Sequence, residues 1–187
     1  MGYFDHEENV REYMQITDGY DGEYLIQKLR CHLVENKTIL ELGMGPGKDL
    51  DLLNPYYNVT GSDNSEIFLD LYRKKHPDAD LLNLDAVTLQ TDRVFDCIYS
   101  NKVLHHLTRS EMQSSLFRQL KLLQDNGIAL HSLWAGEGEE THHGLLFTYF
   151  TLQNIPDILP EQFRILEMSL YEEMEKNDSI VLILQKC

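Results

Sequence analysis

The sequence has few cysteines and no long apolar run. Cys31, Cys97 and Cys187 are its three cysteines, and they are far apart in the chain. An odd, scattered set argues against a disulfide framework or a zinc motif and favours free thiols in a reducing cytosol. No segment approaches the roughly 20 apolar residues of a membrane helix, and the acidic N-terminus does not resemble a secretory signal. We therefore expect a cytoplasmic protein without a membrane partner.

Basic residues are also scarce. Lysine and arginine total 16 against 31 acidic residues, which gives a formal net charge of -15. Polyanions are repelled at long range by such a chain, so a nucleic-acid partner is not expected. The same acidity favours a small or cationic substrate, although solubility alone is an alternative explanation.

Proline- or glycine-rich linkers and internal repeats are absent, so the chain is interpreted as one domain, residues 1–187. Two helical segments, 6–15 and 21–34, precede a change in hydrophobic period. Short apolar runs then predict seven strands, at 38–42, 58–63, 81–85, 94–100, 128–134, 163–171 and 179–186. Further helices are predicted at 48–54, 65–75, 109–124 and 152–159, and a glycine- and glutamate-rich loop at 135–144.

Strands that alternate with helices indicate an α/β fold with a mostly parallel, doubly wound sheet. The last two strands are joined by the short turn at 175–178, where no helix fits. They must therefore form a C-terminal antiparallel hairpin.

The segment from Glu41 to Gly47 lies where the first strand meets a helix, and its spacing is Gly-x-Gly-x-Gly. Glycines allow a tight turn and the close approach of a ligand to the backbone. The dinucleotide fingerprint requires glycine at position 48, where this chain has lysine, and no P-loop spacing is present. A glycine-rich turn without a ligand is the structural alternative.

Two acidic residues end the second and third strands. Asp63, twenty residues after Gly43, is placed to bind the two hydroxyls of a ribose; the alternative is a helix cap, a role that we assign to Ser65. Asp85 can accept a hydrogen bond from the exocyclic amine of adenine, and the alternative is a solvated aspartate.

These elements occur in an order that resembles the class I S-adenosylmethionine-dependent methyltransferases. The similarity covers the glycine turn, the two acidic strand ends, and the motif that runs from Phe95 through Asn101 and His105-His106 to Leu107. It includes the turn Asp125-Asn126-Gly127, where asparagine stands in place of the usual proline or glycine. The similarity is strong over about residues 38–134, and the closing hairpin extends it to the C-terminus. The resemblance implies a Rossmann-like core at 37–187, with helices at 1–36 that cover it.

The resemblance also implies the cofactor, S-adenosylmethionine, with S-adenosylhomocysteine as its product, and no metal. The backbone of Gly43 and Gly45 would face the methionine part, and Glu41 would order the loop. The other implied roles are ribose binding by Asp63, adenine contacts by Asn64, Asp85 and Ala86, a carbonyl for the methionine amine from Ser100, and packing near the sulfonium by Leu104.

Substrate-facing candidates are His105, Trp134 and Tyr13. His106 is predicted to be packed and hydrogen-bonded, and His131 to lie in the core. The pair His142-His143 follows three glutamates, but adjacent loop histidines rarely reach one ion, so we predict no metal site. A lid made of residues 3–20 and 135–147 is expected to cover the substrate.

Methyl transfer needs mainly the alignment of the two reactants, and a base only when the acceptor arrives protonated. This explains why the sequence shows no catalytic triad. We expect a methyltransferase that acts on a small molecule and binds S-adenosylmethionine but not NAD. Alternatives are a non-catalytic protein that binds S-adenosylmethionine as a sensor or scaffold and, more remotely, a nicotinamide oxidoreductase. The oligomeric state is not predicted.

Overall fold

A computed structural model describes residues 3–187, so the part of the predicted N-terminal cover at residues 1 and 2 lies outside the described residues. The α-helices of the described residues are α1 (Glu7–Ile16), α2 (Glu23–Arg30), α3 (Lys48–Leu53), α4 (Glu66–Lys75) and α5 (Arg109–Leu122). The strands are β1 (Thr38–Leu42), β2 (Asn58–Asp63), β3 (Leu81–Asn83), β4 (Phe95–Asn101), β5 (Leu123–Trp134), β6 (Glu139–His142), β7 (Leu145–Thr148), β8 (Phe163–Tyr171) and β9 (Ser179–Lys186).

Seven of these strands form one sheet in the order β3-β2-β1-β4-β5-β9-β8. Neighbours from β3 to β5 are parallel, and β9 is antiparallel to both β5 and β8. This confirms the predicted sheet and its closing hairpin. The chain leaves β1 toward β2 and returns to the other side of β1 with β4, so the point where the strand order reverses lies between β1 and β4. Doubly wound sheets bind ligands at the carboxyl ends of such strands.

The core lies on both faces of this sheet. Along β9, Ile180, Leu182 and Leu184 pack with α5, whereas Val181 and Ile183 pack with α2. Successive side chains of a strand point to opposite faces, so a strand that is buried on both sides is apolar at almost every position. This is why its sequence showed a continuous apolar run rather than an alternating one.

Helix α5 and strand β5 meet earlier than predicted. The helix ends at Leu122, and β5 follows at once from Leu123, whereas the sequence placed the helix stop at Asn126-Gly127. Asn126 has a φ of 62°, and the register of β4 against β5 shifts between Phe95 and Cys97. The positive φ therefore belongs to an irregular strand rather than to a helix cap.

The predicted loop at 135–144 is wrong for its second half, where β6 and β7 form an antiparallel hairpin. Its turn residues, His143 and Gly144, have φ values of 50° and 83°. A two-residue hairpin turn of type I′ needs positive φ at both positions, which glycine supplies without strain. The strands of this hairpin carry little apolar alternation, so no strand was predicted there.

The N-terminal segment covers the carboxyl edge of the sheet near the glycine turn. Phe4 and Tyr13 pack their rings against Phe68 of α4. Ser65 donates from its hydroxyl to the carbonyl of Phe4 at 2.7 Å, and its side chain makes no cap hydrogen bond. Ser65 stands at the N-cap position, but its predicted capping role is wrong because its hydroxyl holds the N-terminal segment instead.

Two other predicted helices are shorter in the structure than the sequence indicated. The predicted helix at 152–159 is a short 3-10 helix, Ile155–Ile158, and the helix at 21–34 is reduced to α2. Among residues 3–187, no helix is long and apolar enough to cross a membrane.

Candidate functional site: a cleft at the carboxyl edge of the sheet

The glycine turn between β1 and α3 needs glycine for two different reasons. All three of its glycines have positive φ: 62° at Gly43, 50° at Gly45 and 86° at Gly47. A Cβ on Gly43 would lie 2.6 Å from Val103, and one on Gly47 would lie 2.3 Å from the ring of Tyr72. At Gly45, by contrast, the nearest atom to such a Cβ among residues 3–187, apart from the chain neighbours of Gly45, is on Tyr13, at 3.9 Å. The glycine at 45 therefore leaves open space above the turn, which is where a ligand would approach the backbone.

Asp63, at the end of β2, holds this turn in place. Its carboxylate accepts hydrogen bonds from the backbone N–H of Gly45 at 2.9 Å and of Ser65 at 2.8 Å. Each oxygen has a second lone pair, so the same carboxylate has capacity left for ligand hydroxyls. Burial raises the pKa of Asp63, and the backbone N–H donors oppose that rise.

Two further buried carboxylates lie on the other side of the turn. Burial, together with the charges of Asp49 and Asp63, raises the pKa of Glu41 well above its usual range. One Glu41 oxygen, Oε2, is buried and has no hydrogen-bond partner among the described residues. A buried, unpaired acceptor is costly, so this cluster of acidic groups is suited to a cationic ligand.

Asp49 is a site residue that the sequence reasoning missed. It accepts hydrogen bonds from the hydroxyl of Tyr99 at 2.6 Å, the backbone N–H of Gly22 at 2.7 Å and the side-chain amide of Asn101 at 3.0 Å. These contacts join the start of α2 to the carboxyl end of β4. An acidic residue is common in the first turn of a helix, because the helix dipole favours negative charge there. The sequence position of Asp49 therefore does not mark it as a site residue.

Two cavities meet above the glycine turn. One has a volume of about 330 Å³ and the other about 260 Å³. They share the residues Tyr3, Tyr13, Gly43, Gly45, Lys102, His106 and Leu145 in their linings. The two cavities are therefore halves of one cleft, which we call the Asp63 half and the Trp134 half.

The Asp63 half contains four of the residues predicted to contact ribose and adenine. Asp63, Asn64, Asp85 and Ala86 all line it. Asp85 also accepts hydrogen bonds from the backbone N–H groups of Val87 and Thr88 through a single oxygen, Oδ1. Its other oxygen makes none of these bonds.

The Trp134 half contains the three substrate-facing candidates, Tyr13, His105 and Trp134, together with Glu41 and Asp49. It also receives His142 and Phe147 from the β6–β7 hairpin. The expected lid segments, 3–20 and 135–147, therefore both contribute to its walls.

Lys102 is a second residue that the sequence reasoning missed. Its ammonium lies 3.6 Å from the centroid of the Trp134 ring and donates to the hydroxyl of Ser179 at 2.6 Å and the carbonyl of Leu133 at 3.2 Å. Burial lowers the pKa of Lys102 to about 8, against the nearby charges of Glu173 and Asp178, which raise it. Lys102 directly follows β4 and has a φ of 54°. Nothing in the sequence marks a lysine at this position as part of a site.

Two predicted cofactor residues do not bring their side chains to the cleft. Ser100 is fully buried and is hydrogen-bonded at 2.8 Å to His131, which itself lies in the core as predicted. Leu104 packs in the core beside α5 and lines neither half. His106 is hydrogen-bonded through Nδ1 to the carbonyl of Leu146 at 2.7 Å, which agrees with its predicted packed role. No group of three metal-ligating side chains occurs among residues 3–187.

Comparison with known proteins gives one family and a consistent set of relatives. Residues 39–127 match a family model described as a methyltransferase domain. The tRNA (carboxymethyluridine(34)-5-O)-methyltransferase of Saccharomyces cerevisiae is 32% identical over 107 residues, which are 56% of this chain and 38% of that protein. The malonyl-[acyl-carrier protein] O-methyltransferase of Legionella pneumophila is 30% identical over 118 residues, 57% of this chain and 39% of that protein. The chain thus spans about two-fifths of the length of these curated relatives.

Among solved structures, the 1,6-didemethyltoxoflavin-N1-methyltransferase of Burkholderia thailandensis has a similar fold. It was crystallised with 1,6-didemethyltoxoflavin and S-adenosylhomocysteine. The TM-score is 0.81, with 96% of this chain and 84% of that chain covered, at 18% identity.

The sheet order, the single antiparallel strand and the glycine turn next to the acidic ends of two neighbouring strands are those of a Rossmann-like methyltransferase fold. Residues 39–127 match a methyltransferase domain, and the chain shares the Rossmann-like fold of solved S-adenosylmethionine-dependent methyltransferases. Its residues fit that cofactor. The carboxylates of the Asp63 half would supply acceptors for ribose and adenine, and the unpaired Glu41 oxygen would favour a cationic methionine group.

Because the pKa of Glu41 is raised, we expect the binding of S-adenosylmethionine to weaken at low pH. Its carboxyl group is protonated below the raised pKa, and a cation must then displace that proton. Affinity should therefore fall as pH decreases toward 4.5, the ordinary pKa of glutamate, and binding should release protons. Calorimetry in buffers of different ionisation enthalpy measures both effects. Glu41→Gln is the control that should remove the dependence, and equal affinity from pH 5 to 8 in the parent protein would contradict the assignment.

Proposed function

We propose that this chain transfers the methyl group of S-adenosylmethionine to a small-molecule acceptor. The observation that carries the proposal is the Trp134 half of the cleft, a recess of about 330 Å³ beside the glycine turn. It is bounded by the N-terminal segment and the β6–β7 hairpin, and its volume is within the usual range for small ligands.

The charges around this recess support a small acceptor over RNA. Asp21, Glu41, Asp49 and Glu173 line it, and its lysines, Lys48 and Lys102, both donate to groups of the chain itself. Arginines elsewhere are engaged in the same way; Arg109, for example, donates to the carbonyl of Tyr149, and Arg118 to those of Leu89 and Thr91. Nucleic-acid binding depends on cations that neutralise phosphates, and this cleft offers few.

The names of the relatives and of the structural neighbour point to different classes of acceptor, so they do not identify the acceptor of this chain. The yeast relative is named for tRNA and the Legionella relative for malonyl-[acyl-carrier protein], whereas the Burkholderia neighbour was solved with 1,6-didemethyltoxoflavin. When the cofactor is bound it supplies the methyl group. The chain supplies alignment of the acceptor and exclusion of water, which together account for most of what the reaction needs.

The release of S-adenosylhomocysteine from separate pools of small metabolites, acyl-carrier proteins and RNA tests this proposal. We expect turnover with the small metabolites, and a lower rate in a Gly45→Ala variant when S-adenosylmethionine is below saturation. Turnover confined to RNA or to carrier protein would refute the small-molecule acceptor. Tight cofactor binding with no turnover on any pool would instead favour the non-catalytic alternative.

A further inference from the structure

His105 differs from the two other histidines packed around the end of β4. Both ring nitrogens of His131 are bonded, to Ser100 and Gln119, and His106 is bonded to the carbonyl of Leu146. His105 is only 2% exposed, and neither of its ring nitrogens has a hydrogen-bond partner among the described residues. A buried polar group is normally bonded, so an unpaired one in a ligand cleft indicates a missing ligand.

From this we infer that His105 contacts the methyl acceptor and accepts a hydrogen bond from it, and that the acceptor is a flat, uncharged molecule with an N–H or O–H group. The inference rests on the proposed function and makes its substrate class specific.

The shape of the acceptor follows from the rings around His105. Its ring centroid lies 5.3 Å from that of Phe147 and 6.4 Å from that of Trp134, and the three residues line the same recess. Aromatic walls favour flat ligands that stack or approach edge-on.

The environment of Lys102 indicates that the acceptor is uncharged. The ammonium of Lys102 is already bonded to Ser179 and Leu133 and covered by the Trp134 ring, so it is poorly placed to hold a carboxylate. A cationic acceptor would lie near that ammonium and would be repelled by it. A neutral donor fits the recess without either conflict.

His105 is suited to accept a hydrogen bond because its ring is kept neutral. Burial, with the nearby His106 and Lys102, holds the pKa of His105 well below its usual value. The titratable groups that line the recess also include His142 and His143 of the hairpin and Glu173. In the transfer, a lone pair of the acceptor forms the bond to the methyl carbon while the carbon–sulfur bond breaks, leaving its electron pair on sulfur. The acceptor's proton passes to His105 and then to water when the product leaves.

Four probes that share one ring test the inference in the protein saturated with S-adenosylhomocysteine. Phenol is a neutral donor, toluene has no donor, benzoate is an anion and benzylamine is a cation. We expect phenol to bind best and to shift the ring-nitrogen NMR signals of His105 but not those of His131. His105→Phe should reduce the preference for phenol over toluene at least tenfold, and His105→Asn should restore part of it.

Several results would overturn the inference. Preference for benzoate, lost in Lys102→Met but kept in His105→Phe, would identify a carboxylate acceptor. Preference for benzylamine would identify a cationic one, and binding of none of the four probes would exclude a flat acceptor. If His105→Phe does not fold, the asparagine variant and the NMR signals of the parent protein decide the same question. The proposed function fails separately, when methyl transfer in the pool assay is confined to RNA or carrier protein.

Discussion

Gly45→Ala should leave the protein folded and reduce its affinity for S-adenosylmethionine roughly 10- to 100-fold, corresponding to an overpacking cost of about 1–3 kcal/mol. The added methyl group meets almost no protein atom, since its nearest neighbour is Tyr13 at 3.9 Å. It would instead occupy the space through which the cofactor approaches the backbone. Calorimetry with S-adenosylhomocysteine measures the loss, and thermal unfolding measures the stability.

Gly138→Ala is the matched control for backbone strain. Gly138 also has a positive φ, 82°, and a Cβ there would have no neighbour within 4 Å. Both variants carry the cost of a left-handed alanine, about 1–2 kcal/mol, but only the change at 45 should affect binding. Equal affinity losses in the two variants would show that strain, and not the ligand approach, is the cause.

Asp63→Ala should weaken cofactor binding by about 1.5–3 kcal/mol, the typical contribution of hydrogen bonds to a charged group, which is roughly 10- to 100-fold in affinity. Two contributions add here, because the substitution removes the ribose acceptor and also releases the N–H of Gly45 that orders the glycine turn. The affinity for S-adenosylhomocysteine and the midpoint of thermal unfolding are measured on the same preparation.

Asp63→Asn separates these two contributions, and Asp70→Ala is the control for the loss of a carboxylate outside the site. Asparagine keeps one oxygen that can hold Gly45 but loses the charge, so it should lose less affinity than alanine does. Asp70 is an exposed residue of α4 that pairs with Arg73, and its loss should change neither binding nor stability by more than about 1 kcal/mol. Unchanged affinity in a folded Asp63→Ala protein would remove Asp63 from the site.

The sequence determined the sheet and one half of the cleft. Strands β1, β2, β8 and β9 have the predicted bounds. In β1 and β9 almost every residue is buried, and strands buried on both faces leave a continuous apolar signal. The Gly-x-Gly-x-Gly turn and the acidic ends of successive parallel strands were predictable together, since parallel strands bring their carboxyl ends to one edge. The Asp63 half contains the four residues predicted for it.

The residues that form the Trp134 half could be identified only from the tertiary structure. Asp49 and Lys102 reach it through contacts with residues 27 to 77 positions away, and such pairings leave no local pattern. The β6–β7 hairpin was not predicted because its turn is set by backbone torsions at His143 and Gly144 rather than by hydrophobic alternation. The unpaired state of His105 depends on where every neighbouring donor and acceptor lies. The sequence therefore determined that the residues predicted for the cofactor meet at one edge of the sheet, and the packing of distant segments determined the recess beside them.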